Sequence, residues 1–65
     1  MKKFYYSNSN GYFECFFVGE VVFYRCFDGP ARFPAYRMMP VIEFFNFHSE
    51  IELYDTLDSF MDEEG

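Results

Sequence analysis

The chain has 65 residues with 11 Phe, 6 Tyr and no Trp, and its 11 acidic against 5 basic side chains leave a net charge of −6. A chain this short is one small domain at most (residues 1–65), near the lower limit for folding alone, so a two-domain enzyme, a dinucleotide-binding unit and a repeat array are excluded. Disorder is excluded as well, because disordered chains are poor in aromatics.

Tyr12 to Phe27 carries the clearest signal. Two apolar runs, residues 12–18 and 21–27, flank Gly19-Glu20, a two-residue turn with Gly first, as a type II′ hairpin requires. Closure there sets Val18 opposite Val21 and Glu14 opposite Arg25, and the opposite charges support the register. Asn10-Gly11 is a type I′ signal that folds residues 2–9 back onto 12–18, with Tyr6 opposite Cys15 and Phe4 opposite Phe17. The first 27 residues therefore read as a three-stranded meander.

Alternation sorts the side chains onto two faces. One holds Phe4, Tyr6, Phe13, Cys15, Phe17, Val22, Tyr24 and Cys26. The other holds Tyr5, Tyr12, Glu14, Phe16, Val18, Val21, Phe23, Arg25 and Phe27. Neither face is polar, although a small antiparallel sheet normally turns one face to water. One helix can cover one face, so the other predicts a homodimer, an obligate complex or a sheet curled into a barrel.

Asp28–Pro40 reads as a loop, because Pro30, Pro34 and Pro40 forbid a long helix. Residues 41–47 are β-branched and aromatic and read as a fourth strand. From Ser49 the period changes: Ser49 and Glu52 have capping-box spacing, and Leu53, Tyr54, Leu57, Phe60 and Met61 share one helical arc. The expectation is an α+β domain, an antiparallel sheet of three to four strands (2–9, 12–18, 21–27, 41–47) followed by one amphipathic helix over 50–62.

Catalytic and metal chemistry find little footing. His48 is the single His, no phosphate-binding glycine loop exists, and Cys15 and Cys26 lack the short spacing of a metal pair. In the hairpin register the two Cys lie diagonally on one face, roughly 7–8 Å apart, too far for a disulfide. They read as small core residues with free thiols. With no signal peptide and no span apolar enough to cross a bilayer, the expectation is a non-enzymatic cytoplasmic protein without cofactor or metal.

Charge is strongly segregated. Residues 1–42 carry five basic and three acidic side chains, whereas residues 43–65 carry eight acidic and none basic. On the predicted helix Glu52, Asp55, Asp58, Asp62 and Glu63 form a carboxylate ridge opposite the apolar arc. Its members stand about 5–6 Å apart, comparable to phosphates along a strand, and no Lys or Arg relieves them at i,i+4. Such a ridge suits the basic groove of a nucleic-acid-handling protein, and otherwise serves as a solvated face. Arg32, Phe33, Tyr36 and Arg37 in the proline segment are residue types enriched at interface centres. Direct nucleic-acid binding through strand aromatics such as Phe16 and Phe23 is opposed by the lack of a basic groove. The overall profile (tiny, aromatic-rich, acidic) resembles small phage-encoded proteins that block host or defence machinery, anti-CRISPR proteins among them. That resemblance is one of composition, so it transfers no residues. The competing reading is a structural homodimer or small assembly subunit.

Overall fold

The computed structural model describes residues 2–48 and 51–64. Four strands, β1 (Phe4–Asn8), β2 (Gly11–Val18), β3 (Val21–Asp28) and β4 (Phe33–Pro40), form an antiparallel meander in the order β1-β2-β3-β4. Two short helices follow, α1 (Val41–Phe47) and α2 (Leu57–Glu64). The α+β class and the meander are as expected from the sequence. Three local assignments are corrected.

The β2–β3 hairpin has the predicted register, with Val18 opposite Val21, Glu14 opposite Arg25 and Cys15 opposite Tyr24. Gly19 has φ +58° and no non-glycine residue among the described ones has positive φ, which fits a type II′ turn and excludes type I′. The β1–β2 register is displaced by two residues from expectation: Tyr6 opposes Phe13 and Phe4 opposes Cys15. The turn is Ser9-Asn10, closed locally by the Asn10 amide donating to Asn8 Oδ1 at 2.8 Å. Gly11 thus serves as a strand residue in close contact. A Cβ there would sit 2.2 Å from the Asp28 carbonyl oxygen. A slip of two preserves side-chain parity, so both predicted faces survive it.

The first correction replaces the loop over Asp28–Pro40 with the edge strand β4. Prolines remove ladder donors, yet edge strands and bulges tolerate them. The β3–β4 register shifts between Tyr24 and Cys26, leaving Pro34, Ala35 and Tyr36 opposite Arg25 alone. Pro34 lies inside that irregularity and Pro40 ends the strand.

The second correction turns the strand over 41–47 into helix α1. Pro40, at φ −60° and ψ 141°, sits in the N-cap position. Val41, Phe44 and His48 then recur at i, i+3 and i+7 toward the sheet, with Phe44 fully buried. Seven residues are too few to separate this period from strand alternation by sequence. The Val41 amide donates to the Glu20 carbonyl at 2.8 Å, pinning α1 to the hairpin tip.

The third correction shortens the helix over 50–62. Ser49 and Glu50 lie outside the described residues, and residues 51–53 are not helical. Ile51 and Leu53 are half-buried with exposed Glu52 between them, an extended period of two. Tyr54 then bridges to Tyr5 through reciprocal amide–carbonyl bonds of 2.8 and 2.9 Å. The helix starts only at Leu57, after Thr56 Oγ1 accepts the Ser59 amide at 3.1 Å as an N-cap.

The core lies between the first sheet face and α1. Tyr6, Phe13, Cys15, Val22, Cys26 and Phe44 are buried, flanked by Phe4, Phe17, Tyr24, Phe33, Met39, Val41, Ile51 and Leu53. Tyr6 stacks on Phe13 with ring centroids 4.8 Å apart and meets Phe44 edge-on at 5.5 Å. Both cysteines are free and fully buried, as expected of core residues. Burial pushes the Cys15 thiol up to about 12.

Candidate functional site

The second sheet face divides into two halves. At one end Phe60 of α2 is fully buried among Tyr5, Tyr12, Phe27 and Tyr54, at ring-centroid distances of 5.3 to 6.3 Å. Across the middle runs a polar belt formed by Glu14, Arg25, Tyr36 and Lys3. Beyond the belt lie two apolar rows, Phe16 and Phe23 with Met38, then Val18 and Val21 with Pro40. No described helix covers these rows: Val18 is 43% exposed and Met38 63%.

The belt is built on one carboxylate oxygen. Glu14 Oε1 accepts Arg25 Nε at 2.5 Å and the Tyr36 hydroxyl at 2.5 Å, with Lys3 Nζ 3.7 Å away. Glu14 is buried, and burial by itself would raise its pKa. The hydrogen bonds from Tyr36 and Arg25, with the charges of Arg25 and Lys3, outweigh burial and hold the carboxyl below its ordinary value. The same contacts act in reverse on the partners. Burial and then the bond to Glu14 raise Tyr36, the Glu14 hydrogen bond raises Arg25, and the Glu14 charge raises Lys3. A carboxylate held by two cations and a phenol is an anchored structural group, and one net positive charge is left at the surface.

The predicted acidic residues do not form one ridge. Glu52 and Asp55 precede α2, where Glu52 accepts the Tyr54 hydroxyl and Asp55 stands 3.5 Å from Lys2 Nζ. Asp58 and Asp62 lie on α2, each roughly 160° around the axis from Phe60 at 3.6 residues per turn. They therefore project away from the sheet, and both are exposed. Glu63 ends in α2 with its side chain outside the described residues. No basic residue occupies the last turn.

The proline segment is likewise divided. Arg32 is exposed before β4. Phe33 packs edge-on against Phe13 and Tyr24 at 5.8 and 5.9 Å, with the Arg37 guanidinium 3.8 Å above its ring. Tyr36 points to the opposite face, 5.2 Å from the Phe16 ring and beneath Arg25. Phe33 is thus rim of the core, whereas Tyr36 joins the belt. Sequence pairing already placed Glu14 opposite Arg25. Tyr36 and Lys3 were hidden because they arrive through β4, read as loop, and through the displaced β1 register.

The belt, the open rows and the outward carboxylates of α2 present aromatic, Met and Arg groups beside segregated charge, the composition of a protein-binding surface. Among the described residues no helix is long and apolar enough to cross a membrane. Neither family models, nor curated proteins, nor solved structures gave a match to this chain.

Proposed function

We propose that this protein is a small non-enzymatic binding protein of the inhibitor kind, of the sort phages use against host or defence machinery. It docks its acidic C-terminal segment on the basic surface of a nucleic-acid-handling partner in the cytoplasm. The observation that carries the reading is the placement of Asp58 and Asp62. They occupy the outward face of α2, exposed, without a basic neighbour on the helix, while Phe60 is buried against the sheet. Carboxylates arranged so compete with phosphates for Arg and Lys, and long-range attraction between the acidic end and a basic groove speeds encounter. Glu52 and Asp55 extend the negative field from the preceding segment. Tyr36 and Arg25 of the belt offer hydrogen-bonding and cation–π contacts at its border.

The test is the quadruple variant Glu52→Gln, Asp55→Asn, Asp58→Asn and Asp62→Asn. Association with a partner identified by pull-down from the host is followed across a salt series. The fold should survive, because all four side chains are exposed. Association should slow, and its salt dependence should flatten. Undiminished, equally salt-sensitive binding would assign the carboxylates to solubility alone.

A further inference from the structure

We infer that the open half of the second sheet face is the seat of a second copy of this chain, packed open half against open half about a two-fold axis. The patch comprises Phe16, Val18, Val21, Phe23, Met38 and Pro40, two neighbouring rows across three strands. Phe16 and Phe23 stack on each other, with centroids 5.1 Å apart and 14° between planes, and form one apolar unit across the two strands. A contiguous apolar patch of this kind marks an interaction site.

Charge and shape select the occupant. Two chains of net charge −6 repel over most of their surfaces. The open rows hold no acidic side chain, and the adjoining belt sets Lys3 and Arg25 against Glu14 alone. The carboxylate that adjoins these rows, Glu20 at the exposed hairpin tip, then lies toward the net-positive belt of the other copy and not toward another carboxylate. The other half of the face is closed to a second sheet, since α2 stands on it with Asp58 and Asp62 turned outward. With the open halves overlapped about a two-fold axis, each α2 lies beyond the opposite end of the partner, and the acidic helices are held apart. The sheets then stack about 10 Å apart, like two leaves of a sandwich. The contact uses the same patch on both copies, so assembly closes at two.

The patch is small. Val18, Met38 and Pro40 are exposed and Phe16, Val21 and Phe23 half-buried, so the contact buries on the order of 300–500 Å² per copy, below the roughly 800 Å² of a standard interface. The dimer is accordingly weak and concentration-dependent.

Sedimentation equilibrium from about 1 μM to about 1 mM, the range of weak complexes, tests the inference. The mean mass should rise from 7.9 kDa toward twice that value, and more steeply at high salt, which screens repulsion between the chains. Met38→Lys and Val18→Lys, both at exposed positions, should each stay monomeric while keeping the wild-type circular dichroism spectrum. Phe47→Lys, 77% exposed on α1 beside the first-face residues Tyr6 and Met39, should leave the mass curve unchanged. A wild-type chain that stays at 7.9 kDa overturns the inference. So does undiminished association of the folded Met38 and Val18 variants, or association abolished by the Phe47 change. Salt strengthens this contact and weakens the docking proposed above, so either can fail without the other.

Discussion

Replacing Tyr6 by Phe should make the protein more stable, against the usual direction of core substitutions. The Tyr6 ring is fully buried, stacked on Phe13 and edge-on to Phe44, with the His48 ring 5.3 Å away. Its hydroxyl is buried and has no hydrogen-bond partner among the described residues. In the unfolded chain that oxygen is hydrated, so folding strips it of water and returns nothing. The penalty for such a hydroxyl is about 1–3 kcal/mol in protein interiors. Phe keeps every ring contact and removes only the oxygen. Allowing for some loss of packing around the missing atom, the expected gain is about 1–2 kcal/mol. For a domain of this size each kcal/mol moves Tm by about 4–8 °C. Urea unfolding should show a higher midpoint at unchanged m, since the area exposed on unfolding is the same. A Tyr6→Phe protein less stable than wild type would show that the hydroxyl has a partner, and would refute the reasoning.

Two further outcomes follow from the second sheet face. The folded-state pKa of Glu14 is depressed, so its contribution to stability is present above the unfolded value near 4.5 and is lost as pH falls through the folded one. Stability should therefore decline below pH 4.5, and Glu14→Gln should flatten that decline in an acid titration of Tm; an unchanged slope would remove Glu14 as its cause. Phe60→Ala should cost about 3 kcal/mol and release α2, seen as rapid amide exchange over residues 57–62 with the β2–β3 amides still protected. Persisting protection across α2 would show that contacts other than Phe60 hold the helix.

What the sequence made legible was the part governed by local rules. Gly19-Glu20 dictates its hairpin, and the Glu14–Arg25 pair confirms the register in both sequence and structure. Both faces of the meander were readable, because alternation is indifferent to a slip of two residues. The exact β1 register was not, since Asn10-Gly11 and Ser9-Asn10 are both plausible turns and the decision falls to Gly11 meeting the backbone at Asp28 and Gly29. Beyond residue 28 tertiary context overrode composition. Pro34 signals a break in most settings but rests in the irregular edge of β4, and that misreading concealed Tyr36 as a partner of Glu14. In the last fifteen residues one helical wheel fitted a segment that is half extended, because Ile51, Leu53 and Tyr54 satisfy a strand pattern against β1 as well as a helical one. The carboxylate ridge broke at the same point: Asp58, Asp62 and Glu63 lie on α2, whereas Glu52 and Asp55 precede it.

The two borders of the sheet are finished in different ways. At β1 the chain's own Tyr54 occupies the hydrogen-bonding groups of Tyr5. At β4, Pro34 and Pro40 remove donors, the register shift spoils the straight ladder, and Arg32 and Arg37 add like charge. A protein with 17 aromatic residues in 65 is an obvious candidate for runaway strand-to-strand stacking into fibrils, which needs a flat, unguarded edge to propagate. Here neither margin offers one. The stickiness conferred by so many rings is directed out of the plane of the sheet, where in the dimer proposed above contact would end after one partner instead of templating the next.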